Sequence, residues 1–459
     1  MSVASDLAAL LDPSIVSTDE ADLDAHASDW APAGMLDRRR GKVPPSPACV
    51  VRPRSTEEVA SLLEWAHETR TPVVPWGGGS GVLASAVPGG RVVVDLSGLA
   101  HVGDVDEKSR LVTAGAGVTG PALGEHLSDA GYHLGHEPQS LAISTVGGWI
   151  ATRACGQLSA RYGGIESLLA GFTAVLPGGR VVRSKTVPRR AAGPDVASLM
   201  LGSEGTLGIV TEADLRVSPI PAERHDLCLR FEHMADGVAA CRKLAQSELR
   251  PTLVRLYDAE DAAIFLRHFP DQSPGPLLLV SFDGPRADVA AELCGGKRGD
   301  DHLVEHWWEH RNDAVGEFRK LMAGEGILGP HALVDTVEVA GTWTVLRELY
   351  HSMKEKLSSL ADIAGCHLSH VYPDGACLYF TLASACADDA EAESKLGTWW
   401  EAAMRTCLDA GGSISHHHGI GRVKARWLEE ELGGWMDVLR AVKSSVDPHG
   451  VMNPGALGL

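Results

Sequence analysis

Pro75-Trp76-Gly77-Gly78-Gly79-Ser80-Gly81-Val82 is the stretch that decides the fold. It continues the apolar run Pro72 to Pro75, which predicts a strand. Its glycines predict a loop whose backbone N–H groups can aim at one point, a nest suited to a pyrophosphate. The G-x-G-x-x-G spacing and the helix entry are missing, so this is not the dinucleotide fingerprint of a doubly wound sheet. Upstream, Ala48 to Val51 predicts a strand. Ser55-Thr56-Glu57-Glu58 predicts a helix start capped by Ser55, continued by Leu62, Leu63 and Ala66. Together these pieces make one βαβ unit ending in a glycine loop.

Outward from it, Arg91 to Leu96 and Arg110 to Ala114 predict strands, and Gly120 to Ala130 a helix. A second glycine-rich stretch runs from His136 to Gly164. It holds His136-Glu137-Pro138-Gln139-Ser140, Ser144-Thr145-Val146-Gly147-Gly148-Trp149-Ile150, Thr152, Gly156 and Arg161-Tyr162-Gly163-Gly164. With no helical period it predicts loop and tight turn, offering many donors with little bulk to a ligand. A third stretch, Leu201-Gly202-Ser203-Glu204-Gly205-Thr206-Leu207-Gly208-Ile209-Val210, predicts a tight turn into a strand. Strands are also expected at Leu169 to Leu176, Arg180 to Lys185 and Gly208 to Val217.

After Pro219 to Ala222 the pattern changes. Strand-like runs at Leu227 to Phe231, Pro276 to Asp283, His331 to Val339 and His370 to Leu382 alternate with helices at Ala235 to Leu249, Ala287 to Cys294 and Trp343 to Leu360. The expectation is an α+β architecture: one antiparallel sheet covered on one face. The tail predicts helices near Arg422 to Leu432 and Gly434 to Val446. This divides the chain into an N-terminal extension (1–43), a first domain (44–220), a second domain (221–405) and a C-terminal segment (406–459). The basic cluster Arg38-Arg39-Arg40 reads as a solvated loop.

A chain of 459 residues is too long for one core. Its net charge of −19 weighs against nucleic acid or an anionic membrane as partner. The nine cysteines stand singly, with no C-x-x-C pair, as reduced structural thiols do. No signal-peptide pattern is visible and no run approaches the roughly 18 apolar residues of a membrane span, so no transmembrane segment is expected. The cytoplasm is the expected compartment, and a homodimer is compatible with it.

The chemistry-bearing residues lie in the second half. His416, His417 and His418 are adjacent, flanked by Gly419 and Gly421. In extended backbone, His416 and His418 point one way and His417 the other. They read as an active-site base or anion binder, as a metal site, or as packed or solvated histidines; no metal is expected. His417 is the first choice of central imidazole. Tyr372 precedes the turn Pro373-Asp374-Gly375; its phenol could act as acid or base with a lowered pKa, or be a half-buried sheet tyrosine. Arg255 could clamp a carboxylate or phosphate, or pair with Asp258. Trp307-Trp308 and Trp399-Trp400 read as packing.

Three spaced glycine stretches in this order resemble the FAD-binding, PCMH-type domain of the vanillyl-alcohol oxidase superfamily. Ser144 to Ala154, Gly412-Ser413-Ile414-Ser415-His416-His417-His418-Gly419-Ile420-Gly421 with Lys424 and Trp427, His370 to Phe380, and Val446-Asp447-Pro448 with Val451 and Asn453 are similar to the alkyl-dihydroxyacetonephosphate synthase branch. The resemblance covers Pro45 to the C-terminus. It implies two domains around one FAD, with the tail returning to the FAD domain and the second domain as a cap. It implies that Gly77, Gly78, Gly79, Ser80 and Gly81 cradle the pyrophosphate, with Pro75 and Trp76 also binding the cofactor. Pro138, Ser140, Thr145, Gly147, Gly148, Thr152 and Gly156 would line the flavin, Glu204, Gly205 and Ile209 would lie near the adenine end, and Ser144, Tyr162 and Asn453 would also bind the cofactor. Arg255 matches an arginine of this branch.

Covalent relatives often carry a histidine in the first glycine loop. None is present in Gly77 to Gly81, so noncovalent FAD is expected. Gly324 to Pro330 lacks the cation that helps define the synthase substrate site. The function implied is therefore an FAD-dependent oxidoreductase moving hydride from a hydroxyl- or amine-bearing carbon of a small polar substrate. The alternatives are a synthase-like transferase without net redox, and a flavin-binding protein without turnover.

Overall fold

The computed structural model describes residues 2–459. It divides into two compact units. The first takes the chain up to Ala154, Gly164–Ile220 and His417–Leu459; the second takes Cys155–Gly163 and Pro221–His416.

In the first unit, β1 (Val16–Ser17), β2 (Cys49–Val51), β3 (Val73–Trp76) and β4 (Val92–Asp95) form a sheet in the order β1-β2-β4-β3. β4 pairs in parallel with β2 and β3. Cys49-Val50-Val51 and Val92-Val93-Val94 are buried throughout, as parallel strands covered on both faces must be. The helix Thr56–Thr69 closes the expected βαβ unit. The Ser55 side chain accepts the N–H of Glu58 at 3.2 Å, and Val59, Leu62, Leu63 and Ala66 are buried at helical spacing. Strands β5 (Leu111–Gly115), β6 (Tyr132–His133), β7 (Leu169–Leu176), β8 (Arg180–Arg183), β9 (Ile209–Arg216) and β10 (Ser218–Pro219) follow. Four of them make a second, antiparallel sheet in the order β5-β9-β7-β8, and β6 pairs with β10.

Two details of this unit differ from expectation. The segment before Pro45 is helical and packed: Leu7 and Ile15 share a core with Val51, Leu62 and Val92, and β1 pairs with β2. Arg38 and Arg39 close the helix Pro32–Arg39, with Arg38 3.0 Å from Asp24, instead of lying in a loop. The glycine-rich stretch from His136 to Gly164 is not all loop either. A helix, Val146–Thr152, starts where the Thr145 side chain caps Gly148. Val146, Trp149 and Ile150 are its large buried residues, at helical spacing, and that burial outweighs the cost of two glycines.

The C-terminal helix Trp435–Val446 is anchored in this unit by a buried ion pair. Lys443 Nζ lies 2.6 Å from Asp447 and donates to the carbonyls of Thr206 and Met452 at 2.8 and 3.0 Å. Asp447 in turn accepts the N–H groups of Val451 and Met452. Lys443→Met strands a buried carboxylate, and the expected cost is about 3–5 kcal/mol. A urea titration of the variant checks it; an unchanged midpoint would show that the pair contributes nothing.

The second unit is built on one seven-stranded antiparallel sheet. Its strands are β11 (Arg224–Arg230), β12 (Leu253–Tyr257), β13 (Leu277–Asp283), β14 (Lys297–Arg298), β15 (Leu333–Thr342), β16 (Ile363–Ser369) and β17 (Gly375–Ser384). The spatial order is β14-β11-β13-β12-β16-β17-β15. Helices cover both faces, where one covered face was expected. Gly237, on the helix Met234–Ala245, makes room for Leu256 on one side. On the other, Leu303, Val304 and Trp307 of the helix His302–His310 pack on Cys228, Leu253, Leu277 and Leu279. The run Leu277 to Phe282 is wholly buried, which a half-solvated strand cannot be. His370 to Leu382 is a hairpin bend followed by a strand, because Pro373-Asp374-Gly375 turns the chain and His370 takes a left-handed φ of 49°.

Candidate active site

In the first unit the site begins where β3 ends. Among the described residues, no backbone N–H from Gly77 to Val82 donates to a protein acceptor. These amides, in partly exposed to exposed residues, stay open to an acceptor from outside the protein. The loop is held by close packing. A Cβ on Gly78 would lie 1.7 Å from the carbonyl oxygen of Ile143, and one on Gly77 2.6 Å from Thr145 Oγ1. Gly79 has φ +64° and sits against the Trp76 ring. Behind the loop, Pro138 and Ser140 turn the chain by accepting the amides of Leu141, and of Ile143 and Ser144. Ser144 Oγ accepts from Trp149 Nε1 at 2.8 Å, Gly147 packs on Ala116, and Thr152 Oγ1 donates to the Gly148 carbonyl. Gly205 takes φ +72° against the Pro75 ring, and Ile209 opens β9.

The Glu204 carboxylate and Asn453 Nδ2 bond within the protein, whereas the buried Asn453 Oδ1 has no hydrogen-bond partner among the described residues. The buried Glu204 carboxylate accepts from Ile420 N, Gly421 N and Ser85 Oγ at 2.7–3.1 Å. Burial holds this carboxyl above its ordinary range. Asn453 Nδ2 donates to the carbonyls of Glu204 and Ser85. Both therefore fasten the turn that follows the histidine triplet to the third glycine stretch.

Gly156 and Tyr162 lie in the short segment that belongs to the second unit. Tyr162 donates to Asp283 Oδ2 at 2.7 Å, and Arg161 pairs with the same carboxylate at 2.8 Å. Burial and that carboxylate push the Tyr162 phenol up to about 12.

The second unit gathers a group around Tyr372. Its Oη lies 3.1 Å from His416 Nε2 and 3.3 Å from Cys155 Sγ. The His370 ring stacks on His416 with centroids 4.8 Å apart, and His370 Nδ1 is 2.8 Å from Ser159 Oγ. Buried Glu338 accepts from Ser415 Oγ at 2.9 Å and from the His416 amide. The Tyr372 phenol is shifted upward, against the lowered value expected: burial and then Cys155 oppose the phenolate. Tyr372 therefore stays protonated. Ligand atoms of Cys155, His370 and His416 lie within 4.8 Å of one another. His417 and His418 fall in the first unit, with their rings 4.5 Å apart.

Arg255 lies apart from this group in its partners. Its Nε donates to Tyr257 Oη at 2.8 Å, and its Nη2 is 3.3 Å from His367 Nδ1. The alternative pairing with Asp258 does not form. Asp258 caps the helix Ala259–Phe265 and takes Lys354 Nζ at 2.7 Å. His367, held down to about 4 by burial and by Arg255, leans on Asp261 at 2.8 Å and stacks on Tyr379. Tyr257, His367, Tyr379, Glu338, His370 and Cys155 were not singled out from sequence. Strand alternation through Arg255 and Tyr257 would have found the first. The tryptophan pairs are packing: Trp307, Trp399 and Trp400 are buried, and Trp400 donates to Asp335.

Removing the Tyr372 hydroxyl separates these contacts. Tyr372→Phe should lower turnover by about ten- to a hundredfold while flavin content stays unchanged. The pH profile of wild-type turnover should show no alkaline limb belonging to this phenol. A Phe variant with full activity would remove Tyr372 from the chemistry.

Comparison with known proteins places these features. The chain matches the FAD binding domain over residues 47–185 and the FAD linked oxidases, C-terminal domain, over residues 220–457. It is 33% identical to the Escherichia coli (strain K12) protein named "Uncharacterized FAD-linked oxidoreductase YgcU" across 90% of this chain and 89% of that one. It is 28% identical to a D-lactate dehydrogenase of Anaerostipes hadrus, across 90% and 89%. A solved alkyldihydroxyacetonephosphate synthase superposes with TM-score 0.78 at 26% identity, covering 98% of this chain and 84% of that one. Among the described residues no helix is long and apolar enough to cross a membrane. The chain belongs to the FAD-linked oxidases, as an FAD-binding enzyme of vanillyl-alcohol oxidase type with synthase-like relatives.

Proposed function

We propose that this enzyme removes hydride from a hydroxyl- or amine-bearing carbon of a small polar substrate, with Tyr372 and His416 handling the proton. The supporting observation is the 3.1 Å contact between Tyr372 Oη and His416 Nε2. Bound FAD supplies the hydride acceptor. A phenol shifted upward cannot be the resting base, but it can relay. It takes the substrate proton at Oη while passing its own to His416 Nε2, so that no free phenolate forms. Cys155 and Ser159 hold the relay in place through Tyr372 and His370. Glu338, bonded to the His416 amide, fixes the backbone that carries the imidazole. Arg255 has no protein partner at Nη1 among the described residues, leaving an N–H edge for an anionic substrate group.

Anaerobic mixing with 2-hydroxy acids, sugars and amines tests the proposal: bleaching of the visible flavin band marks hydride transfer. A second reading is favoured by the fit to the synthase over 98% of this chain. It is an exchange, on an acyl ester of dihydroxyacetone phosphate, of the esterified fatty acid for an alcohol, which forms an ether and releases the acid without net redox. Release of fatty acid without bleaching would establish that reading and overturn the first. The segment Gly324 to Pro330, with no Arg or Lys, speaks against it.

We further propose that FAD is held noncovalently, since Gly77 to Gly81 offers no nucleophilic histidine. Acid precipitation should leave intact FAD in the supernatant; flavin remaining with the polypeptide would refute this. A reducing, cytoplasmic location suits the nine cysteines, which stand as thiols.

A further inference from the structure

Away from Tyr372, the second unit gathers three imidazoles that the proposed reaction does not use. His306 and His310 stand four apart on the helix His302–His310, with Glu309 between them. Residues at i, i+3 and i+4 share one helix face, so the three side chains reach the same point. Their ligand atoms lie within 4.8 Å of one another. The His306 and His310 ring centroids are 4.3 Å apart, and His268 follows at 6.3 Å from His306.

The arrangement is held from behind. His306 sits edge-on to Phe269, 4.8 Å away at 88°, and meets Phe265 at 5.9 Å, which restricts its rotation. His310 Nδ1 is 2.8 Å from Asp313 Oδ2, which sets the tautomer and presents Nε2. A carboxylate behind a ligating histidine is the usual support of an imidazole–metal bond. The donor set is two imidazoles and one carboxylate. Imidazole suits zinc, copper and nickel, whereas magnesium and calcium take oxygen donors.

We propose that His306, Glu309 and His310 bind one divalent transition-metal ion, with Zn2+ as the probe, distinct from the Tyr372 group. Three protein ligands leave the fourth tetrahedral position to water or to a small exogenous ligand, with His268 next to it. An ion that binds only the folded chain also raises its thermal stability.

Equilibrium dialysis of the flavin-loaded enzyme against ZnCl2, read by elemental analysis, tests the site. Wild type should bind one zinc that the double variant His306→Asn with His310→Asn lacks, while flavin content and far-ultraviolet circular dichroism stay unchanged. Zinc should raise the melting temperature of wild type and not of the double variant. Asp313→Asn should weaken binding by about tenfold. Cys155→Ser controls for the rival group of Cys155, His370 and His416, and should leave this zinc in place. The proposal is overturned if wild type binds no zinc, or if the zinc survives in the double variant. Loss of that zinc in Cys155→Ser would also overturn it, assigning the ion to the Tyr372 group.

Discussion

His416→Asn should lower turnover by about a hundredfold or more, the scale on which loss of a general base is felt, with FAD content unchanged. Asparagine keeps roughly the size and some hydrogen bonding of imidazole but cannot accept a proton. The sequence pattern favours His417 on alternation alone. The structure instead joins His416 to Tyr372 at 3.1 Å and to His370 by stacking, and pairs the His417 ring with His418. His417→Asn and His418→Asn should therefore cost less in turnover. The measurement is steady-state turnover per bound flavin, so that variants with reduced loading remain interpretable. Equal, small losses at all three positions would make the triplet structural and sink the relay. A loss at His417 alone would return the role to the residue favoured by alternation.

Gly79→Val should abolish FAD retention. At φ +64° a β-branched residue is strained, and its Cβ would lie 2.4 Å from the Trp76 ring. Valine must rotate the backbone out of the left-handed region, which turns away the amides of Gly77 to Val82 that have no protein acceptor among the described residues. Flavin absorbance after gel filtration, against protein concentration, reads the effect. Preserved far-ultraviolet circular dichroism would separate it from unfolding. Full occupancy would remove this loop from the cofactor site.

Much of the frame was legible because local rules and global packing agree. Ser55 caps its helix as the Ser-x-x-Glu pattern requires, and Cys49 to Val51 is a buried strand because nothing polar interrupts it. Where the two disagree, reading failed. Val146–Thr152 looks like loop by composition, yet it is helix, because Val146, Trp149 and Ile150 find a core. The helix His302–His310 went unread among its charged and histidine residues, although Leu303, Val304 and Trp307 mark its buried side.

Sequence by itself determined the family, the glycine-rich turns and the antiparallel second sheet, since these rest on neighbours within a few residues and on backbone preferences. Only the tertiary structure decided which side chains meet. Cys155, Tyr372 and His416 are separated by 217 and 44 positions along the chain and touch through Tyr372. Arg255 turned to Tyr257 and His367 instead of Asp258, because the helix cap and Lys354 had already engaged that carboxylate. The state of the Tyr372 phenol likewise depends on burial, which no spacing along the chain encodes.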